Sequence, residues 1–137
     1  MTTPLRQLFY VSRLAPGVGD REVRHILAIS RRNNRMLDLT GVLACTGKHF
    51  AQVLEGRADA IDSLVPRIAA DRRHVDWRLV FDRTLKTRDY PLWALAYLPE
   101  SGLTDEVEAL LVDELPPETV TLDAMRRLRP DTVLGAL

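Results

Sequence analysis

The sequence predicts an α+β fold, a mixed sheet of βαββαββ order with two helices on one face and short helices after it. Three observations carry this. Apolar residues switch between strand-like runs and helical stripes in that order. A glycine-bearing turn, Thr46-Gly47-Lys48-His49, joins two adjacent extended runs as a hairpin. With 137 residues, 46% of them hydrophobic and 28% charged, the chain has the size and balance of one soluble domain, able to bury a core without disulfides or metals.

The elements follow in order. Leu8-Phe9-Tyr10-Val11-Ser12 is aromatic and β-branched, and ends in the turn signal Ala15-Pro16-Gly17-Val18-Gly19. A dinucleotide-loop reading of Gly17 and Gly19 fails, because Glu22 stands where the third glycine belongs. Asp20 is placed as the N-cap of the first helix, whose stripe is Val23, Ile26, Leu27 and Ser30, and Asn34 continues the same face. Thr40–Cys45 and Phe50–Glu55 are the hairpin strands, and Phe50, Gln52 and Leu54 share a face. The second helix runs from Ala58 to Asp71 with Ile61, Leu64, Val65 and Ile68 inward, and Pro66 predicts a kink. Arg78–Asp82 and Leu92–Tyr97 complete the strands. Thr104 is placed as the cap of a short helix through Leu115, and Thr121–Leu128 forms another. This divides the chain into a ferredoxin-like domain, 1–98, and a helical appendage, 99–137.

Composition excludes several functions. Lys+Arg and Asp+Glu both number 19, giving net charge +0, so no excess of cations exists to neutralise a nucleic-acid backbone. The one cysteine, Cys45, builds no disulfide framework and suits a reducing compartment. The N-terminus lacks a signal-peptide core and no run is long enough to span a bilayer. A cytoplasmic protein without membrane attachment is expected. His25, His49 and His74 have no metal-ligand spacing, and neither Cys45, Ser12 nor Ser30 has a catalytic base in its context. No catalytic residue and no metal site are assigned, and the chain is not read as an enzyme.

What remains is three polar side chains, Tyr10, Asn34 and Gln52, aimed at the layer between sheet and helices. Burying an amide without partners costs about 1–3 kcal/mol. Each residue alone has an ordinary role: Asn34 as a helix C-cap, Gln52 bonding a loop, Tyr10 with its hydroxyl at the rim. Together, with Ile26 and Ile68 as apolar walls, they are better explained by a flat ligand between the helices. A glutamine both donates and accepts, so it can bridge a phenol and a heteroaromatic ring.

Further stretches sharpen this: Tyr10-Val11-Ser12, Arg32-Asn33-Asn34, Leu39-Thr40-Gly41-Val42-Leu43, Phe50-Ala51-Gln52-Val53-Leu54-Glu55-Gly56, Arg67-Ile68, Asp71-Arg72-Arg73-His74 and Trp93. In this order and spacing, from about Leu8 to Leu98, the sequence resembles a BLUF domain, the flavin-binding blue-light sensor module, of the short single-domain type. The resemblance implies noncovalent FAD, or alternatively FMN, with its ring between Ile26 and Ile68. It places Asn34 at the pyrimidine edge with Asn33 nearby, Gln52 between Tyr10 and the flavin N5/O4 edge, and Arg67, Asp71 and His74 toward the ribityl and phosphate end. It further implies electron and proton transfer from Tyr10 through Gln52, a rearranged amide and a red-shifted flavin that recovers in the dark. Trp93 and Leu95 would be modulators.

Leu95 is a departure, because the family usually has methionine there. Leucine keeps the apolar volume and loses the flexible thioether, so altered coupling to the sheet and C-terminal segment is expected. With no effector domain following, the signal is expected to leave by association with a downstream protein, from a homo-oligomer. The competing reading is a light-insensitive regulatory or ligand-binding module. A small enzyme of the acylphosphatase type ranks last, for want of a phosphate loop.

Overall fold

Alternation along the strands decides which side chain meets which layer. The computed structural model describes residues 4–99, 102–114 and 116–128. Its elements are β1 (Leu5–Leu14), α1 (Asp20–Met36), β2 (Thr40–Cys45), β3 (His49–Arg57), α2 (Ala58–Ala70), β4 (His74–Leu85), β5 (Ala96–Leu98), α3 (Thr104–Val112) and α4 (Glu118–Arg127). The sheet order is β4-β1-β3-β2-β5. Pairing is antiparallel except between β2 and β5, which run parallel. The α+β class and the βαββαββ order are those the sequence predicts.

Tyr10 lies opposite Gln52, Gln52 opposite Leu43, and Leu8 opposite Leu54. These side chains and Phe50 form the floor on which α1 sets Val23 and Leu27, and α2 sets Ile61 and Leu64. The intervening residues, Phe9, Val11, Val42, Ala44, Ala51 and Val53, face the other way. They bury Leu103, Val107, Leu110, Ala124 and Leu128, so α3 and α4 cover the second face of the sheet. A sheet covered on both sides explains why β2 is buried throughout and β3 at every residue but its last. At Gly41, φ is +156° and an added Cβ would lie 1.9 Å from the Val53 carbonyl oxygen, so the close approach of β2 to β3 admits only glycine.

Several local expectations are corrected. Gly19, not Asp20, is the N-cap of α1, and its N–H donates to Glu22 Oε2 at 2.9 Å. Asp20 instead occupies the first turn, where its charge favours the helix dipole. Thr104 is likewise the first helical residue behind Leu103. Asn34 is inside α1 rather than a C-cap. α2 stops at Ala70, one residue before Asp71; Pro66 lies inside it without ending it, as expected, and Asp62 and Pro66 are both exposed, so water reaches the carbonyl that proline leaves free. α3 ends at Val112, before Leu115, which lies outside the described residues. α4 starts three residues ahead of Thr121.

The largest difference is the last strand. Only 96–98 pairs with β2, and 92–95 is not strand. The carbonyls of Trp93, Ala94 and Leu95 accept instead from Gly41 N–H at 3.0 Å, Asn34 Nδ2 at 2.7 Å and Arg31 Nε at 3.0 Å. Side chains of α1 thus replace one edge of the ladder. The incoming connection is held by Glu55, a fully buried carboxylate on β3. It accepts from Gln7 Nε2 at 2.8 Å and from the backbone N–H groups of Asp89 and Tyr90 at 2.9 and 2.7 Å.

Candidate functional site

Residues of α1 and α2 and the Tyr10–Gln52–Leu43 row line a cleft with two adjoining lobes. The larger, about 190 Å³, is lined by Ile26, Ile29, Ser30, Asn33, Asn34, Gln52, Leu64, Arg67, Ile68, Asp71 and Arg73. The smaller, about 60 Å³, adds Tyr10, Leu43, Phe50 and His74 to residues that both lobes share. All nine residues expected at a ligand are therefore gathered here: Tyr10, Ile26, Asn33, Asn34, Gln52, Arg67, Ile68, Asp71 and His74.

Direct cross-strand pairing brings Tyr10 and Gln52 together, and the Tyr10 hydroxyl donates to Gln52 Oε1. Both side chains are buried. Burial, assisted by the charge of Asp71, pushes the Tyr10 phenol well above the usual tyrosine range, so it holds its proton through neutral pH. Gln52 Nε2 has no hydrogen-bond partner among the described residues, leaving a donor at the cleft. Asn34 Nδ2 is engaged by the Ala94 carbonyl. His74 is fixed at both ring nitrogens: Nε2–H donates to the Ile68 carbonyl at 2.6 Å, and Nδ1 lies 2.8 Å from Ser12 Oγ. A carbonyl only accepts, so the proton belongs on Nε2.

Arg73 lies in the stretch Asp71-Arg72-Arg73-His74 but is not among the residues the sequence places at a ligand. Its Nε and Nη2 reach Asp71 at 3.0 and 2.7 Å, and its Nη1 lies 3.1 Å from His25 Nδ1 on α1. That guanidinium holds the Asp71 carboxyl below the usual carboxylate range. One arginine thereby spans the cleft mouth. The two-residue spacing of Asp71 and Arg73, typical of a local turn, was the one available signal. Trp77 is a second surprise, its ring centroid 5.6 Å from that of Tyr10.

Trp93 and Leu95 do not line the cleft. Trp93 sits against the second face of the sheet, 6.4 Å from Tyr90 between ring centroids. Leu95 is fully buried beneath α1 with Leu43 and Phe50, which do line it. Among the described residues no group of His, Cys, Asp or Glu is arranged for a metal ion, and no helix is long and apolar enough to cross a membrane. Cys45 is buried and free, and burial raises its thiol pKa.

Flat apolar walls, a free amide donor beside a buried phenol, and cations at the mouth define a module that holds a planar heteroaromatic ring bearing an anionic tail. The donor set fits FAD: Ile26 and Ile68 for the ring faces, Gln52 Nε2 for an acceptor edge, Arg67 and Arg73 for phosphates. Comparison with known proteins agrees. Residues 5–96 match the family described as BLUF, sensors of blue-light using FAD, and the chain belongs to that family.

Photoactivated adenylate cyclase subunit beta of Euglena gracilis is 33% identical over 102 residues, which is 74% of this chain and 12% of that protein. The blue light- and temperature-regulated antirepressor BluF of Escherichia coli (strain K12) is 31% identical over 70 residues, 51% of this chain and 17% of that protein. The chain thus matches only a small part of these curated relatives. The dark-state structure of BlrB, a BLUF protein, superposes with a TM-score of 0.77 at 27% identity, covering 93% of this chain and 96% of that one. Photo-activated BlsA, 20% identical, gives 0.77 over 97% and 98%, and shows the shared fold.

Proposed function

We propose that this member of the blue-light sensor family responds to light through Tyr10 and Gln52 and passes the change to another protein. The single observation that carries this is the buried Tyr10–Gln52 hydrogen bond with the amide's second group free at the cleft. Bound FAD supplies blue-light absorption and an electron acceptor, and FMN shares the ring. Ile26 and Ile68 hold the ring, with Asn33 and Asn34 at its polar edge. Arg67, Asp71 and His74, now joined by Arg73, serve the ribityl and phosphate end.

Tyr10 gives up an electron, and its hydroxyl proton leaves along the bond to Gln52 Oε1. Return of both leaves the carboxamide turned, with a different group toward the phenol. The amide has two arrangements, so it is a two-state element that light biases. Leu95 and Trp93 act at one remove, through Leu43 and Phe50 on one face of the sheet and Tyr90 on the other.

Segment 99–137 is the output region, and its described part, α3 and α4, covers the sheet face opposite the cleft. The chain works as a sensor and not as an enzyme, in the cytoplasm, as a homo-oligomer that addresses a protein partner. The name of the antirepressor relative, which marks action on another protein, supports this. Spectra of the FAD-loaded chain before and after blue light, and during dark recovery, test the reading. A reversible red shift that Gln52→Leu abolishes, while the flavin stays bound, is expected. An unchanged photocycle in that variant rules out the role of Gln52, and bound flavin without any shift leaves the light-insensitive module.

A further inference from the structure

Trp77 reaches Tyr10 through an irregularity in β4. Arg78 pairs with Val11 and Val75 with Arg13, so Asp76 and Trp77 together stand against Ser12. A second register shift, at Val80, sets Leu79 opposite Tyr10, so Trp77, two residues from Leu79, shares the face that carries Tyr10, and the bulge at Asp76, with φ 55°, follows directly. The two ring centroids are 5.6 Å apart with planes at 38°. Trp77 Nε1 is wholly shut off from the surface without a hydrogen-bond partner, the one side-chain atom so enclosed and unpaired among the described residues. Buried indole N–H groups normally find an acceptor, and here β4 delivers the ring without one.

We infer that Trp77 is a second electron donor in the light reaction and lowers its yield. The inference rests on the flavin reading above. One electron leaves the Tyr10 phenol for photoexcited flavin. Two events then compete for the oxidised phenol: loss of its proton to Gln52 Oε1, and arrival of an electron from the adjacent indole. In the second, the phenol is restored with its proton still on oxygen, and Trp77 is left one electron short. A phenol that has lost an electron but not its proton is the stronger oxidant of the two rings, so the transfer runs downhill. With no acceptor at Nε1, the oxidised indole keeps its proton, and the electron returns to it by charge recombination. No proton has crossed Gln52, the amide stays as it was, and the photon is lost.

The test uses the full chain with FAD and three forms, wild type, Trp77→Phe and Trp93→Phe. Phenylalanine keeps a ring against Tyr10 and removes the oxidisable indole. Ultrafast absorption is expected to show an indole radical cation in wild type and Trp93→Phe that is absent in Trp77→Phe, with a twofold or larger rise in the red-shift yield of Trp77→Phe. An indole signal that survives in Trp77→Phe, or a yield that does not rise, overturns the assignment. In the flavin-free chain, ultraviolet resonance Raman is expected to place the Trp77 N–H band, identified by its loss in Trp77→Phe, at the non-hydrogen-bonded position; a bonded position overturns it too. A wild type that shifts reversibly without any indole signal refutes Trp77 alone, whereas a wild type with no reversible shift brings down both readings.

Discussion

Replacing Glu55 by alanine removes the acceptor that holds the β4–β5 connection. Three donors meet its carboxylate, but Gln7 Nε2 keeps a second partner in Asp89 Oδ2 at 2.8 Å. The loss therefore falls on two backbone N–H groups, of which Tyr90 is 2% exposed and unreachable by water. An unsatisfied buried donor costs about 1–3 kcal/mol, and deleting the buried side chain leaves a void that adds to it. Burial already raises the Glu55 pKa, so relief of the desolvated charge offsets part of this. The net loss is about 3 kcal/mol. At roughly 3–5 °C per kcal/mol for a domain of this length, the melting temperature falls by about 10–15 °C. Differential scanning calorimetry of wild type, Glu55→Ala and Glu55→Gln reads this directly. Glutamine keeps the shape and one acceptor oxygen, so it falls between the other two. A shift below about 3 °C for alanine, or a glutamine variant less stable than alanine, refutes the reasoning.

Other outcomes follow from the same geometry. Leu95→Met restores a flexible thioether under α1; flavin binding and the red shift persist, while dark-recovery lifetime or light-dependent oligomer size changes, and identical behaviour in both rejects a modulating role. Asp71 has its pKa lowered in the folded state, first by Arg73. Its stabilisation is therefore present above the ordinary aspartate value and lost as pH falls through the lowered one. Acid titration of flavin retention should show this loss and Asp71→Asn should abolish that step; an unaltered profile in the variant counts against the Asp71–Arg73 clasp.

Much of the site was legible because it rests on strand alternation. Tyr10 and Gln52 lie in aromatic and apolar runs whose parity fixes their face, and cross-strand register then makes them neighbours. Ile26 and Ile68 follow from helical stripes in the same way. What the sequence hid depends on backbone departures. Trp77 lies between two register shifts of β4, at Val80 and at Asp76, and neither leaves a mark in a pattern of apolar residues. Leu92–Leu95 reads as strand, yet α1 claims its carbonyls through Asn34 and Arg31, contacts about sixty residues distant in sequence that no local rule anticipates. The role of Arg73 is hidden because its acid partner lies two positions away in a turn rather than on a helix face.

The burial of β3 on both sides has a consequence for how sensing and reporting are divided. Its even-numbered residues, Phe50, Gln52 and Leu54, look toward the α1 and α2 layer, while Ala51 and Val53 look toward α3 and α4. A single peptide unit is all that separates the Gln52 amide from the opposite hydrophobic layer. On the proposed function, receiver and transmitter are two sides of the same ribbon, and the message has only its thickness to travel.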